Sequence, residues 1–371
     1  MLNKYKLDKS LIFFLFIFFI ISLISIFSAS IYLSKTLGNL VLKQAMWYLV
    51  GIIFIFIIIK IGNEKIYKYA WYIYLCNLLL LLGLLFVAPS INGSKCWYII
   101  NGIGSFQPSE FMKISLIIMN AKAIDNFKSK YSTVRLIDEL KLIILIFIIT
   151  LIPSILTFLE PDTGAVLIYI IISLLMLFIS GIRIRWFLLL GLVIITGLSI
   201  FLGIYFLNKD LFINIFGSSF FYRIDRILNW KTGSGMQLIN SLSAVGSSGL
   251  LGHGFNNTPI YFPEAGTDFI FSVFASNFGL IGSLFLLIVL LLFDLRIINI
   301  ARSNIDTINK YVLIGIIGIL FYGQIQNISM TIGLLPITGI TLPFISYGGS
   351  SLIAYMILLG LILNIYNSIE Y

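Results

Sequence analysis

Residues 242–271 read LSAVGSSGLLGHGFNNTPIYFPEAGTDFIF, a glycine-rich, weakly hydrophobic segment that runs into two carboxylates, Glu264 and Asp268, at the mouth of an apolar run. Such a junction marks the edge of a membrane. An acid kept there caps a helix, pairs with a cation or does chemistry. Thr267 or Asp268, directly before Phe269, would make a good N-cap, accepting bonds from amides that lack helical partners and favoured by the helix dipole. From these residues alone, capping and catalysis both stay open.

The rest of the chain has the same character. Its 371 residues are 60% hydrophobic, 15% aromatic and only 11% charged, and the mean hydropathy is +1.07. That composition excludes a soluble globular domain and predicts an all-α polytopic membrane protein, a single integral membrane domain over residues 1–371. The basic start, Lys4, Lys6 and Lys9, precedes an apolar run of over 20 residues with no small-residue cleavage site after it. This reads as a retained first span rather than a leader. Cys76 falls inside a predicted span and Cys96 in a loop, so no disulfide is expected between them.

A span needs about 20 apolar residues. Ten are expected, near Leu11–Leu33, Ala45–Ile61, Tyr67–Ala88, Pro108–Ala123, Leu142–Phe158, Gly164–Gly181, Trp186–Leu207, Asp268–Leu292, Val312–Pro336 and Tyr347–Ile365. With the N-terminus inside, the N-terminal tail and the connections after spans two, four, six and eight hold Lys4, Lys6, Lys9, Lys60, Lys65, Lys68, Lys122, Lys128, Lys130, Arg135, Lys141, Arg183, Arg185, Arg296, Arg302 and Lys310. Lys35, Lys43, Lys95, Lys209, Arg223, Arg226 and Lys231 fall on the other side. This bias places both termini in the cytoplasm and accounts for the net charge of +9 without nucleic acid.

Every unusual segment then faces outward. After the third span, Trp97 and Tyr98 suit the interface, Pro108 suits a first helical turn, and Glu110 and Lys113, three apart, can pair on one helix face. Such a pair either fastens helices together or serves a site. In the turn Glu160-Pro161-Asp162, two close acids raise each other's pKa unless a cation intervenes, and Asp162 would also cap the following helix. A hard cation held by oxygens remains open there.

The largest outer loop, residues 208–267, holds Phe220, Ile224, Ile227 and Leu228 at helical spacing, with Arg223, Arg226 and Trp230 on another face. This is expected to be an amphipathic surface helix whose arginines hold either lipid phosphates or a specific pyrophosphate. Gly246, Gly249, Gly252 and Gly254 follow it and are expected to form a loop whose backbone can approach a ligand closely. Pro336, Gly339, Pro343, Gly348 and Gly349 interrupt the last outer stretch. Broken backbone at membrane depth lines a cavity or is buried in protein, so the outer half should contain a pocket.

Taken in order, FQPSEFMK, EPDTG, YRIDRILNW, LSAVGSSGLLGHGF, FPEAGTDFIF and LLPITGITLPFISYGGSS resemble the shape, elongation, division and sporulation family of the RodA and FtsW type, over nearly the full chain. The resemblance implies a glycosyltransferase of the bacterial cytoplasmic membrane that polymerises lipid II beside a class B penicillin-binding protein and other cell-wall synthesis machinery. It implies Asp268 as the catalytic residue, with Glu110, Lys113, Arg223 and Arg226 contributing. Lys95, Trp97, Glu264, Ser346 and Gly348 are expected in the substrate site. No organic cofactor is expected; a divalent cation, Mg or Mn, would sit near Asp268, Glu160 or Asp162.

The chain departs from the pattern at Cys96, where an Arg is usual beside the Trp and where Lys95 could supply the charge instead. It departs again at Ser276 and Asn277, where an acidic pair is common, and at Ser329, where Gly is usual. A pyrophosphate is already a good leaving group, so one carboxylate base and a positive cluster would suffice, unlike the two carboxylates of a glycosidase. A lipid II flippase is the rival reading, and a non-catalytic scaffold a third, but no internal repeat of a transporter kind is visible.

Overall fold

The computed structural model describes residues 7–30, 39–90, 93–100, 104–130, 135–228 and 235–369. In chain order these form α1 (Lys9–Ser30), α2 (Leu40–Ile61), α3 (Asn63–Lys68), α4 (Ala70–Val87), β1 (Tyr98–Ile100), β2 (Gly104–Phe106), α5 (Pro108–Lys130), α6 (Leu136–Leu159), α7 (Thr163–Ile179), α8 (Ile184–Leu207), α9 (Lys209–Phe216), α10 (Ser218–Leu228), α11 (Gly235–Ser247), α12 (Ile270–Ser303), α13 (Thr307–Thr331) and α14 (Gly349–Ile369). Each of the ten expected spans coincides with a helix. By length and composition, eight of the described helices can cross a membrane: α1, α2, α4, α6, α8, α12, α13 and α14. The other two are α7, with 17 residues, and α5, which carries charges along its length.

The charges of α5 are tolerated because of where it lies. It packs against α4, α6, α7, α13 and α14, and Met112 to Ala121 are all buried. Around it α2 lies along α14, while α1 and α13 flank α12. Many polar side chains inside this bundle are paired: Asn120 donates to Ser173 at 2.9 Å and Asn77 to Ser115 at 2.6 Å. Pro153 inside α6 cannot donate to the Ile149 carbonyl, and the Tyr74 hydroxyl donates there instead at 2.8 Å.

Three segments differ from expectation. The sequence ends the eighth span at Leu292 because charges follow, yet α12 continues to Ser303. Asp294 is buried with Gln324 Nε2 donating to it at 3.2 Å, and Arg296 meets Asp8 at 2.6 Å, so neither charge stops the helix. Residues 235–247, read as part of a glycine-rich loop, form α11. Its buried face, Leu238, Ser241 and Ala244, lies on α12, and the Ser241 hydroxyl donates to the Thr331 carbonyl at 2.8 Å. The antiparallel pair β1–β2, with Tyr98 opposite Phe106, was not foreseen, although Asn101-Gly102 is a strong hairpin signal.

The expected amphipathic helix forms as α10, and Gly217 at φ 85° separates it from a further short helix, α9, which the sequence reading lacks. Phe201, Phe212, Phe216 and Phe220 join them to the outer end of α8 through edge and stacked contacts. The Tyr205 hydroxyl donates to Asp225 at 2.6 Å.

Within α12 the helix breaks at Gly279, whose φ is 62° and ψ −158°. Residues 249–254 run into the break. His253 and Gly254 amides donate to the Ser276 and Asn277 carbonyls at 2.9 and 3.1 Å, and Leu280 and Ile281 amides donate to Gly249 and Leu250 at 3.0 and 3.1 Å. Backbone groups released by the break are thus satisfied by a distant segment, the condition for irregular backbone at membrane depth. Gly252 and Gly279 serve this insertion. A Cβ at Gly252 would overlap the Asn277 backbone, and one at Gly279 would overlap Gly252.

Candidate active site

Asp268 lies in the segment that enters α12, one residue before the N-cap, and its position bears on the capping reading. Phe269 occupies the N-cap of α12 and no side chain caps it, so Asp268 is not a helix cap. Its carboxylate accepts no hydrogen bond among the described residues, and it is partly open to solvent. Burial, followed by the charges of Glu264 and Asp162, raises its pKa to about 7. An acid held near neutrality without a hydrogen-bond partner is equipped to accept a proton.

Its backbone, in contrast, is fixed from several directions. The Tyr347 amide donates to Gly266 O at 2.9 Å, the Ser346 hydroxyl to Thr267 O at 2.6 Å, and Asn327 Nδ2 to Asp268 O at 2.8 Å. Asn327 Nδ2 also reaches Ile340 O at 2.8 Å, joining this segment to the broken stretch after α13. That stretch is held in turn by Ser22, which donates to Ile345 O at 2.7 Å, and Gln44, which donates to Ser346 O at 3.2 Å. Asn327 was missed in the sequence. The signal was present as Gln324, Gln326 and Asn327 inside an otherwise apolar run.

Ser346 and Gly348, expected at the substrate, are placed as supports. The Ser346 hydroxyl is engaged by Thr267 O and the Leu342 amide, and Ser346 is buried. The Gly348 carbonyl accepts the Leu352 amide in the first turn of α14. Glu264 is exposed, with backbone φ 56°, and accepts from the Thr267 hydroxyl at 2.7 Å.

The start of α5 and the turn before α7 form the adjoining wall. Lys113 Nζ lies 2.7 Å from Glu110 Oε2 with side-chain exposures of 4% and 12%, so the expected pair forms and is buried. Asp162 caps α7 by accepting from the Ala165 amide at 3.0 Å, and its other oxygen accepts from Gln107 and Ser109 at 3.0 and 3.1 Å. Trp97 Nε1, just before β1, donates to Gln107 Oε1, just after β2, at 3.2 Å, which brings the base of the β1–β2 pair onto the same rim. Arg223 and Arg226 lie in α10, but their side chains, like Trp230 and Lys231, fall outside the described residues.

Glu160 is fully buried, and neither of its carboxylate oxygens has a hydrogen-bond partner among the described residues. Lys95 does not supply the missing charge. Its ammonium lies 3.4 Å from the Leu85 carbonyl, while the neighbouring Cys96 is turned inward with its thiol on the Glu160 carbonyl at 3.1 Å. Burial and then Asp162 push the Glu160 carboxyl up to about 8 from 4.5. The folded protein therefore holds this proton more tightly than the unfolded chain, and Glu160 subtracts stability as pH rises from 4.5 to about 8. Glu160→Gln should raise the thermal midpoint in detergent more at pH 9 than at pH 5.5. An equal gain at both would show that Glu160 does not titrate in this window.

No group of three His, Cys, Asp or Glu close enough to hold a metal ion exists among the described residues. Asp268, Glu160 and Asp162 do not converge into one centre, and the Asp162 oxygens are already engaged. Among the described residues these carboxylates do not assemble a resident metal site. Of the departures, Asn277 bridges Thr258 and Ser28 at 3.0 and 2.6 Å beside the break in α12. Ser276 contributes its carbonyl to the same break.

Fold and site together define a polytopic, almost wholly helical membrane protein with a carboxylate, Asp268, on one rim, braced by a broken segment between its last two spans. The family of cell cycle proteins typified by FtsW, RodA and SpoVE matches residues 8–371, and the chain belongs to that family. It is 32% identical to the probable peptidoglycan glycosyltransferase FtsW of Haemophilus influenzae, covering 96% of this chain and 90% of that protein. It is 35% identical to stage V sporulation protein E of Bacillus subtilis over 74% of this chain and 72% of the relative. A chain in a solved peptidoglycan synthase complex that coordinates polymerization and crosslinking superposes with a TM-score of 0.80 at 26% identity, over 98% of both chains. The rod shape determining protein RodA of Thermus thermophilus superposes with a TM-score of 0.71 at 25% identity, over 98% of both chains.

Proposed function

We propose that the protein is a peptidoglycan glycosyltransferase that polymerises lipid II at the outer face of the bacterial cytoplasmic membrane. In this reading α5 and α7 complete ten spans, both termini are cytoplasmic, and the partner is a class B penicillin-binding protein. The observation that carries the reading is the Asp268 carboxylate, which has no hydrogen-bond partner among the described residues, a pKa of about 7 and a firmly held backbone. The names of the relatives support the same reaction.

Asp268 takes the proton from the acceptor sugar hydroxyl as its oxygen attacks the anomeric carbon of the donor. The bond from that carbon to the pyrophosphate breaks, and its electron pair leaves with the lipid pyrophosphate. In-line attack converts the donor's α linkage to β. Lys113, with Arg223 and Arg226 on α10, supplies positive charge for the leaving group.

Purified protein with its transpeptidase partner and labelled lipid II tests the proposal in detergent, where there are no two sides to cross. Glycan strands are expected. Translocation of lipid II in sealed vesicles with no polymer in detergent would favour a flippase. In the same assay Arg223→Ala and Arg226→Ala should lower turnover more than apparent substrate affinity, because the charge they meet develops in the transition state. Near-normal turnover in both, at low and high salt, would remove these arginines from the site.

A further inference from the structure

On the rim opposite the Asp268 site, α1 and α12 leave a crevice of about 560 Å³, in the volume range of small-molecule sites. Its lining is graded along the two antiparallel helices. Lys9 and Ser10 of α1 and Arg296 and Asn299 of α12 form one end. One turn deeper, Phe13, Phe14, Leu292 and Leu295 form the other. Phe13 and Leu295 are exposed, so the apolar end opens sideways towards lipid rather than into the bundle.

The charge at the mouth is positive and held in place. Asp8 is 1% exposed and stands behind the crevice rather than in it. One of its oxygens accepts from the Ser10 and Leu11 amides at 2.8 and 3.1 Å, and the other accepts from Arg296 Nε at 2.7 Å. This fixes the guanidinium, which keeps 34% of its side chain exposed and lies 5.6 Å from the Tyr366 ring. Lys9 is exposed and forms no ion pair among the described residues. Two cations, a hydroxyl and an amide therefore stand one turn above four large apolar side chains. That order is the order of groups in a phospholipid, with phosphate and glycerol above acyl chains.

We infer that the α1–α12 crevice is a binding site for one anionic phospholipid of the leaflet on the Lys9 side, its phosphate between Lys9 and Arg296 and an acyl chain along Phe13, Phe14, Leu292 and Leu295. The inference is independent of the catalytic reading, because the crevice shares no residue with the Asp268 site. A bound lipid would also cover the seam that α1 forms with α12, where the edge contact of Phe14 with Phe293 at 6.0 Å lies.

The full-length protein, released from nanodiscs of equal phosphatidylglycerol and phosphatidylcholine into neutral detergent, can be weighed intact by native mass spectrometry. One phosphatidylglycerol should be retained in preference to phosphatidylcholine. Lys9→Glu should lower that preference by about fivefold or more, given the usual attraction of a single cation to anionic lipid. Leu295→Trp, which fills the apolar end without changing charge, should also release the lipid. Both positions are exposed, so unchanged thermal midpoints in lipid-free detergent are expected. Lys310→Glu, an exposed charge on the same side but outside the crevice, should have no effect. Equal retention of the two lipids, an undiminished preference in Lys9→Glu or Leu295→Trp, or an equal loss in Lys310→Glu would each overturn the assignment.

Discussion

Asp268→Asn should lower polymerisation of lipid II by roughly 10²–10⁴-fold, the usual contribution of a positioned general base, while the protein remains folded and inserted. Retention of the fold follows from the structure. The Asp268 side chain caps nothing, and the bond that fixes the residue runs from Asn327 to its backbone carbonyl, which the substitution leaves in place. The wild-type enzyme should show a kcat/KM limb that rises with pH through about 7, because the base works only after losing its proton. In Asp268→Asn that limb should disappear along with the activity. Wild-type turnover in the asparagine variant, measured with purified protein and partner, would remove Asp268 from the chemistry.

The second large effect is on folding. Gly252→Ala and Gly279→Ala each force a side chain onto a residue at positive φ, 79° and 62°, and into opposing backbone that has no flexible end to yield. Strain and overpacking together should cost roughly 2–6 kcal/mol, read as a sharp loss of monodisperse protein and a lower thermal midpoint in detergent. Gly246→Ala is the internal control. It lies in the same glycine-rich stretch but within α11, where an added Cβ meets nothing within 4 Å, and it should be neutral or gain about 0.5–1 kcal/mol. If all three behaved alike, the insertion of residues 249–254 into α12 would not be the reason for the glycines.

That contrast shows where the sequence was legible. The apolar runs are dictated locally by composition, and a helix formed at each of them. The pairing of Glu110 with Lys113 and the cap at Asp162 also follow from spacing, and both formed. The break in α12 does not follow, because residues 270–303 read as continuous helix and only contact with a distant segment reveals why Gly279 departs from it. The same holds for the extension past Leu292, where Asp294 and Arg296 are accommodated by Gln324 and Asp8 from other helices. At the site, the candidate acid was visible but its freedom from capping was not. The brace from Asn327, Ser346 and Tyr347 joins positions up to 81 residues apart in the chain and leaves no local pattern.

A broken transmembrane helix ordinarily acts as a hinge, but here the break is splinted. Two backbone bonds from residues 253 and 254 hold the half of α12 next to Asp268, and two to residues 249 and 250 hold the other half. Bending at Gly279 would rupture bonds on one side or the other, in a medium with no water to replace them. The acid therefore keeps a fixed height and aim relative to the long inner half of the helix. If Asp268 is the base of the proposed reaction, the motion that lets a growing glycan strand advance by one sugar pair must come from the substrate or from segments other than this splinted helix.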